Sequence, residues 1–129
     1  MSKKVLIVDD EADIRKVVSF RLNKIGYEVL LAIDGQQGLD MIYKDKPDII
    51  LLDLHLPVIT GYEICRRVKA DENLKHIPII FFSASSGSEI ENHTKDYGAD
   101  DYIVKPFKAD DLIAKIKKYL DKKGIMVRV

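Results

Sequence analysis

The sequence predicts an α/β fold built on a doubly wound parallel sheet, and three observations predict it. Short, continuous apolar runs recur five times along the 129 residues, and each is followed by a segment with helical spacing. The runs do not alternate apolar with polar, as expected of strands covered on both faces. The units are also of similar length, so each return to the sheet crosses over through a helix, and helices come to lie on both faces.

The first run is "VLIVDD" (5–10), and "EADIRKVVSFRLNKIG" follows it with Ile14, Val17, Val18, Leu22 and Ile25 at helical spacing and Gly26 as a stop. "YEVLLA" (27–32) is the second strand. The next helix, "DGQQGLDMIYKDKPD", carries Leu39, Ile42 and Tyr43 and is weakened by Gly35 and Gly38. Ile49 to Leu52, inside "DIILLDLHLP", form the third strand. Thr60 with Glu63 three residues on is a capping-box signature for a helix reaching towards Ile77, with Ile64, Val68 and Cys65 as its stripe. "PIIFFSA" (78–84) is the fourth strand, and "SSGSEIENHTKDYG" the poorest helix, with Gly87, Asn92, His93 and Thr94 inside it. "DYIVKPF" (101–107) is the fifth strand. The last helix places Leu112, Ile116 and Leu120 at i, i+4 and i+8 and is expected to stop at Gly124.

Composition narrows the function. Twenty-one Lys plus Arg balance twenty-one Asp plus Glu, so charge gives no reason to expect nucleic acid or a membrane surface as a direct partner. The N-terminal apolar run is too short for a signal peptide, no stretch approaches a membrane span, and a cytoplasmic location is expected. Cys65 is the single cysteine, which excludes an intramolecular disulfide and a cysteine-based metal cluster.

Ligands of an open parallel sheet gather outside the carboxyl ends of its strands. The residues that close the runs are Asp9 and Asp10, Asp53, Ser83 and Lys105, whereas the second run ends in nothing reactive. Taken singly, each has an ordinary reading: an Asp after a strand caps a helix or opens a turn, and a Lys before Pro lies at the surface. The set reads differently. Two unit charges about 4 Å apart repel by roughly 4 kcal/mol at an effective dielectric of about 20, so three carboxylates on one rim need a counter-charge. A site of few carboxylates with room for water suits Mg²⁺. Lys105 and the Ser83 hydroxyl are then left to grip an anion. Metal, carboxylate, ammonium and hydroxyl together are what phosphoryl transfer requires, with aspartate as a covalent acceptor.

On these residues the sequence resembles the receiver domain of two-component response regulators, of the chemotaxis-regulator kind, over nearly its whole length. "VLIVDDE" is similar to the family's acidic-pair strand, and "LLDLHLPVITG" to its Asp-x-x-x-Pro-x-x-x-Gly motif, with Asp53, Pro57 and Gly61 in place. "FFSA" matches its strand ending in Ser or Thr, and "DYIVKPF" its aromatic-x-x-Lys-Pro-Phe segment. The resemblance implies a flavodoxin-like (βα)5 fold with strand order 2-1-3-4-5 and a receiver over 1–122. Residues 123–129 would be a tail or the start of a linker. It implies that Asp53 accepts a phosphoryl group from a sensor histidine kinase or a histidine phosphotransfer protein. Asp10 and Asp53 would bind Mg²⁺ directly, Asp9 mainly through water, and His55 through its backbone carbonyl. Lys105 would bridge to the phosphoryl group, Ser83 would swing towards it with Tyr102 turning inward behind, and Lys105–Pro106 would be a cis peptide.

The surface of the fourth helix, fifth strand and fifth helix would carry the signal to a downstream effector or a homodimer partner. No enzyme activity beyond self-dephosphorylation is expected. The chain would be either a stand-alone regulator or a receiver cut from a longer protein. Leu56 stands where the family often has Met, a volume-conserving exchange. His55 is unusual beside the acceptor: either its ring is merely exposed, or with Ser85 it sets the phosphoaspartate lifetime. Cys65 reads as a packing residue, and His76 and His93 as exposed and unconnected. Two rivals are a Mg²⁺-dependent phosphatase of the haloacid-dehalogenase type and a flavodoxin-like nucleotide binder. The first lacks an aspartate at His55 and a cap domain; the second lacks a Gly-rich loop after the first strand.

Overall fold

The computed structural model describes residues 2–84 and 87–128, the stretch 122–128 as backbone only. Among the described residues, strands and helices alternate without exception: β1 (Lys4–Val8), α1 (Ala12–Ile25), β2 (Glu28–Ala32), α2 (Gly35–Asp45), β3 (Ile49–Asp53), α3 (Gly61–Ala70), β4 (Ile79–Ser83), α4 (Gly87–Tyr97), β5 (Asp101–Val104) and α5 (Ala109–Arg128). The strands form one parallel sheet in the order β2-β1-β3-β4-β5.

The unalternating apolar runs are explained by the two cores they feed. Side chains of a strand point to opposite faces in turn. Leu6, Val8, Ile50, Leu52, Ile79 and Phe81 therefore face one core, which Leu39 and Ile42 of α2, Ile64 and Val68 of α3 and Ile90 of α4 complete. Val5, Ile7, Ile49, Leu51, Ile80 and Phe82 face the other, closed by Val18 and Leu22 of α1 and Leu112, Ile116 and Leu120 of α5. Each such side chain contributes about 1.5–3 kcal/mol when fully buried, so both faces of the central strands must be apolar.

Several expectations need correction. On α1, Val18 and Leu22 are buried, but Val17 is 55% and Ile25 44% exposed. The i, i+4 pair sets which side faces the sheet, and Val17, one residue back, is turned outward by the helical rotation. Tyr43 on α2 is exposed for the same reason, beside buried Ile42. α3 ends at Ala70 rather than running towards Ile77. Its exit is a turn in which the Asp71 carboxylate accepts the Asn73 amide at 2.8 Å, pinned by buried Leu74 and Ile77. The capping box is half-formed: the Thr60 hydroxyl accepts the Glu63 amide at 3.3 Å, whereas the Glu63 carboxylate is taken by Arg66 and Arg67. β5 closes at Val104, before Lys105. The backbone of α5 continues through Gly124 to Arg128 instead of stopping there. Gly26 does end α1, with φ +106°.

Glycine in α2 also has a packing reason. A Cβ on Gly38 would stand 2.8 Å from a methyl of Val8, so its absence lets α2 lie close on β1.

Candidate functional site

The parallel register brings the strand ends to one rim. Val8 of β1 is level with Leu52 of β3, and Asp53 with Phe82 of β4. Ser83 is level with Val104 of β5. Asp9 and Asp10 thus follow β1, Asp53 closes β3, Ser83 closes β4, and Lys105 follows β5 with its amide donating to the Ser83 carbonyl at 2.7 Å. The Lys105–Pro106 peptide is cis, as the resemblance implied.

Lys105 organises the centre. Its ammonium lies 2.9 Å from Asp9 Oδ2, 3.1 Å from Glu11 Oε1 and 3.3 Å from Asp53 Oδ2, and 5.0 Å above the Phe82 ring. Burial works to lower its pKa, but the Asp9 hydrogen bond, the Asp53 charge and Glu11 outweigh it and raise the pKa above the usual lysine value. Asp9 is fully buried. Its Oδ1 accepts the Glu11 amide at 2.7 Å, and Arg15 donates to its backbone carbonyl at 2.8 Å. Burial pushes the Asp9 carboxyl upward, against the Glu11 amide and Lys105, which pull it down. Asp53 is also buried, and its Oδ1 accepts the His55 amide at 3.1 Å.

The structure places Asp9, Asp10, Asp53 and Lys105 at one rim. Buried Ser83 sits at the same rim. Half-buried Tyr102 is level with Phe81, away from the rim, and packs with the core beneath α4. The His55 ring is exposed, with its centroid 6.2 Å from that of Tyr62. Ser85 lies outside the described residues.

Two participants escaped the sequence. Glu11 joins the carboxylate group; its signal was the third acidic residue of "VLIVDDE". His93 is half-buried rather than exposed, and its Nδ1 lies 2.9 Å from the Tyr62 hydroxyl. No local pattern connects residues 31 positions apart. His76 is exposed in the turn after α3, as expected.

Carboxylate oxygens of Asp9, Asp10, Glu11 and Asp53 all lie within 4.8 Å of one another. Such a set of hard oxygen donors, with more negative charge than Lys105 offsets, fits a small divalent cation.

The model of the response regulator receiver domain matches residues 5–117. The chain belongs to that family. This receiver domain is 41% identical over 118 residues to a probable transcriptional regulator, ycf27, of Guillardia theta. The match covers 92% of the chain but 45% of that relative, so the chain spans less than half of the curated protein. Among solved structures it is similar to a CheY-like receiver domain protein of Methanospirillum hungatei JF-1, with TM-score 0.88 and 30% identity over 98% of this chain and 99% of that one. It is also similar to the receiver domain of the sensor histidine kinase PA1611 of Pseudomonas aeruginosa PAO1, with TM-score 0.83, 31% identity, and 92% and 98% of the two chains covered. That structure holds a magnesium ion coordinated in its active-site cleft. Receiver domains serve two-component signalling as switches, working with histidine kinases and effector domains. Among the described residues no helix is long and apolar enough to cross a membrane.

Proposed function

We propose that Asp53 is the phosphoryl acceptor of this receiver domain. The observation that carries the reading is the placement of its carboxylate: at the end of a dry strand, beside the Lys105 ammonium and within the acidic group. The donor would be a phosphohistidine on a sensor kinase or phosphotransfer protein, or a small acyl phosphate. With acetyl phosphate, an Asp53 oxygen attacks phosphorus, the bond from phosphorus to the bridging oxygen breaks, and acetate leaves with the electron pair. No proton is needed.

Asp10 and Asp53, with Asp9 through water and the His55 carbonyl, would hold Mg²⁺, which when bound neutralises charge on the transferring group. Lys105 keeps Asp9 as its buried partner and turns its Asp53 contact over to a phosphoryl oxygen, a charge-assisted bond. The Ser83 hydroxyl supplies a further donor. Its movement towards the new charge opens room for Tyr102 to turn inward. The altered surface of α4, β5 and α5 would then meet an effector or a second copy of the chain. Water returns Asp53 to the free carboxylate, and His55 at the mouth sets how fast.

In this reading 1–122 is the receiver and 123–129 a tail or linker, which the backbone of α5 enters as helix. The reading also places the chain in the cytoplasm, where ATP-fed donors are found.

The bond formed is an acyl phosphate, which hydroxylamine cleaves. Protein labelled with radioactive acetyl phosphate and Mg²⁺ should lose its label in neutral hydroxylamine. A label that persists there would point to a hydroxyl such as Ser83 and overturn the assignment. His55→Ala should change the label's half-life; an unchanged half-life removes His55 from the account.

A further inference from the structure

Lys105 has more partners than the proposed transfer uses. An ammonium carries three N–H donors, and in this structure they face three carboxylates, at 2.9 Å (Asp9), 3.1 Å (Glu11) and 3.3 Å (Asp53). The contact to the proposed acceptor is the longest. Asp9 is fully buried and cannot give up its counter-ion without leaving a charge unpaired in a dry setting. Glu11 is different: its side chain is 57% exposed and solvent can take it over.

A second, independent observation concerns α1. Glu11 occupies the N-cap position, where Ser, Thr, Asp or Asn would satisfy an open amide. Its side chain makes no cap hydrogen bond. The carboxylate is turned across the rim to Lys105 instead, so the helix start forgoes its cap for a contact 94 residues away. The cleft beside it, about 430 Å³ and lined by Glu11, Ile14, Ala84, Lys105 and Phe107, leaves room for the side chain to swing aside.

We propose that Glu11 is a positioning residue that holds Lys105 in a resting geometry and so brakes the loading of Asp53. It does this in two ways. It divides the ammonium's charge between itself and the acceptor, and it keeps a carboxylate within 4.8 Å of the acidic oxygens where a dianionic phosphoryl group must arrive. Removing the Glu11 charge hands Lys105 to Asp53 and to the phosphoryl oxygen. This inference rests on the proposed role of Asp53.

The test compares wild type, Glu11→Gln and Glu11→Ser. For each, Mg²⁺ is first titrated by NMR so that all are compared at saturation. The readouts are the rate of labelling by acetyl phosphate, the affinity for beryllofluoride (a phosphoryl mimic), and the melting temperature. Both variants should label and bind beryllofluoride roughly three- to tenfold better, the size of one screened charge at this range. Glu11→Ser should also melt higher, because it restores the cap, while Glu11→Gln should not. A purely structural role would shift the melting temperature and leave beryllofluoride affinity in place. Unchanged or weaker labelling and beryllofluoride binding in both variants overturns the brake, as does a gain confined to the better-capped Ser variant. Absence of any labelling in wild type would instead refute the role of Asp53, so the two failures are distinguishable.

Discussion

At Val58 the backbone takes φ +73°, a left-handed value that a β-branched side chain rarely adopts. The residue sits at the centre of a tight turn, where the Ile59 amide donates to the Pro57 carbonyl at 2.9 Å, and it is 77% exposed. No packing explains the valine there, so Val58→Gly should stabilise the protein by about 1 kcal/mol, strain relief less the entropy of glycine. A lower melting temperature would show that the turn is not strained. Cys65 is a second residue with a defined chemistry. Burial pushes its thiol up to about 11, and Sγ donates to the Tyr97 carbonyl at 3.3 Å. Iodoacetamide at neutral pH should leave it unlabelled until the protein unfolds; fast labelling of the native state would contradict this. The rim residues Asp9, Asp10, Asp53, Ser83 and Lys105 were legible because each closes an apolar run. Glu11 was not, because an exposed acid at a helix start looks the same in sequence whether it faces water or Lys105.

At the scale of elements, α3 depends on its first turn. A Cβ on Gly61 would stand 2.2 Å from the Asp53 carbonyl oxygen, so the helix can begin directly against the end of β3 only with glycine. Gly61→Ala should cost about 1–3 kcal/mol and slow the loading of Asp53; wild-type stability and rate would refute this close approach. Two turns of α3 also share a charge cluster. Hydrogen bonds from Arg66 and then Arg67 hold the Glu63 carboxyl down to about 2 against its ordinary 4.5. A folded-state value below the unfolded one means the contribution is complete above pH 4.5 and is lost as pH falls towards about 2. The three side chains lie at the surface, so salt weakens the cluster. A carboxyl NMR titration should place the midpoint well below 4.5, and a midpoint at 4.5 would show that the arginines are not engaged. Element type was readable throughout from apolar runs and helical spacing. Ends and faces were less so: α3 stops where Asp71 folds back on the Asn73 amide, and Val17 turns outward because Val18 and Leu22 set the face. Both outcomes depend on tertiary packing, which local pattern does not carry.

For the whole molecule, the sheet order decides what the site contains. β1 and β3 are neighbours, so Asp9 and Asp53 share Lys105, which follows β5, across the rim. The apolar runs do not encode that order, because any run buried on both faces can take any inner position; the family's motifs implied it. The same convergence leaves Asp9, Asp10, Glu11 and Asp53 with excess negative charge in one corner. A divalent cation should therefore stabilise the protein by mass action, by about 2.7 kcal/mol at a hundredfold excess over Kd, and raise its melting temperature accordingly. Asp10→Ala should weaken that response, and an equal response in the variant would remove Asp10 from the ligand set.

The central claim is that the fold exists to present Asp53 for phosphorylation. The most direct measurement is the intact mass of wild type and Asp53→Ala after incubation with acetyl phosphate and Mg²⁺. Wild type should gain the mass of a single PO₃ group and Asp53→Ala none. An equal gain in both, or no gain in wild type, would contradict the account.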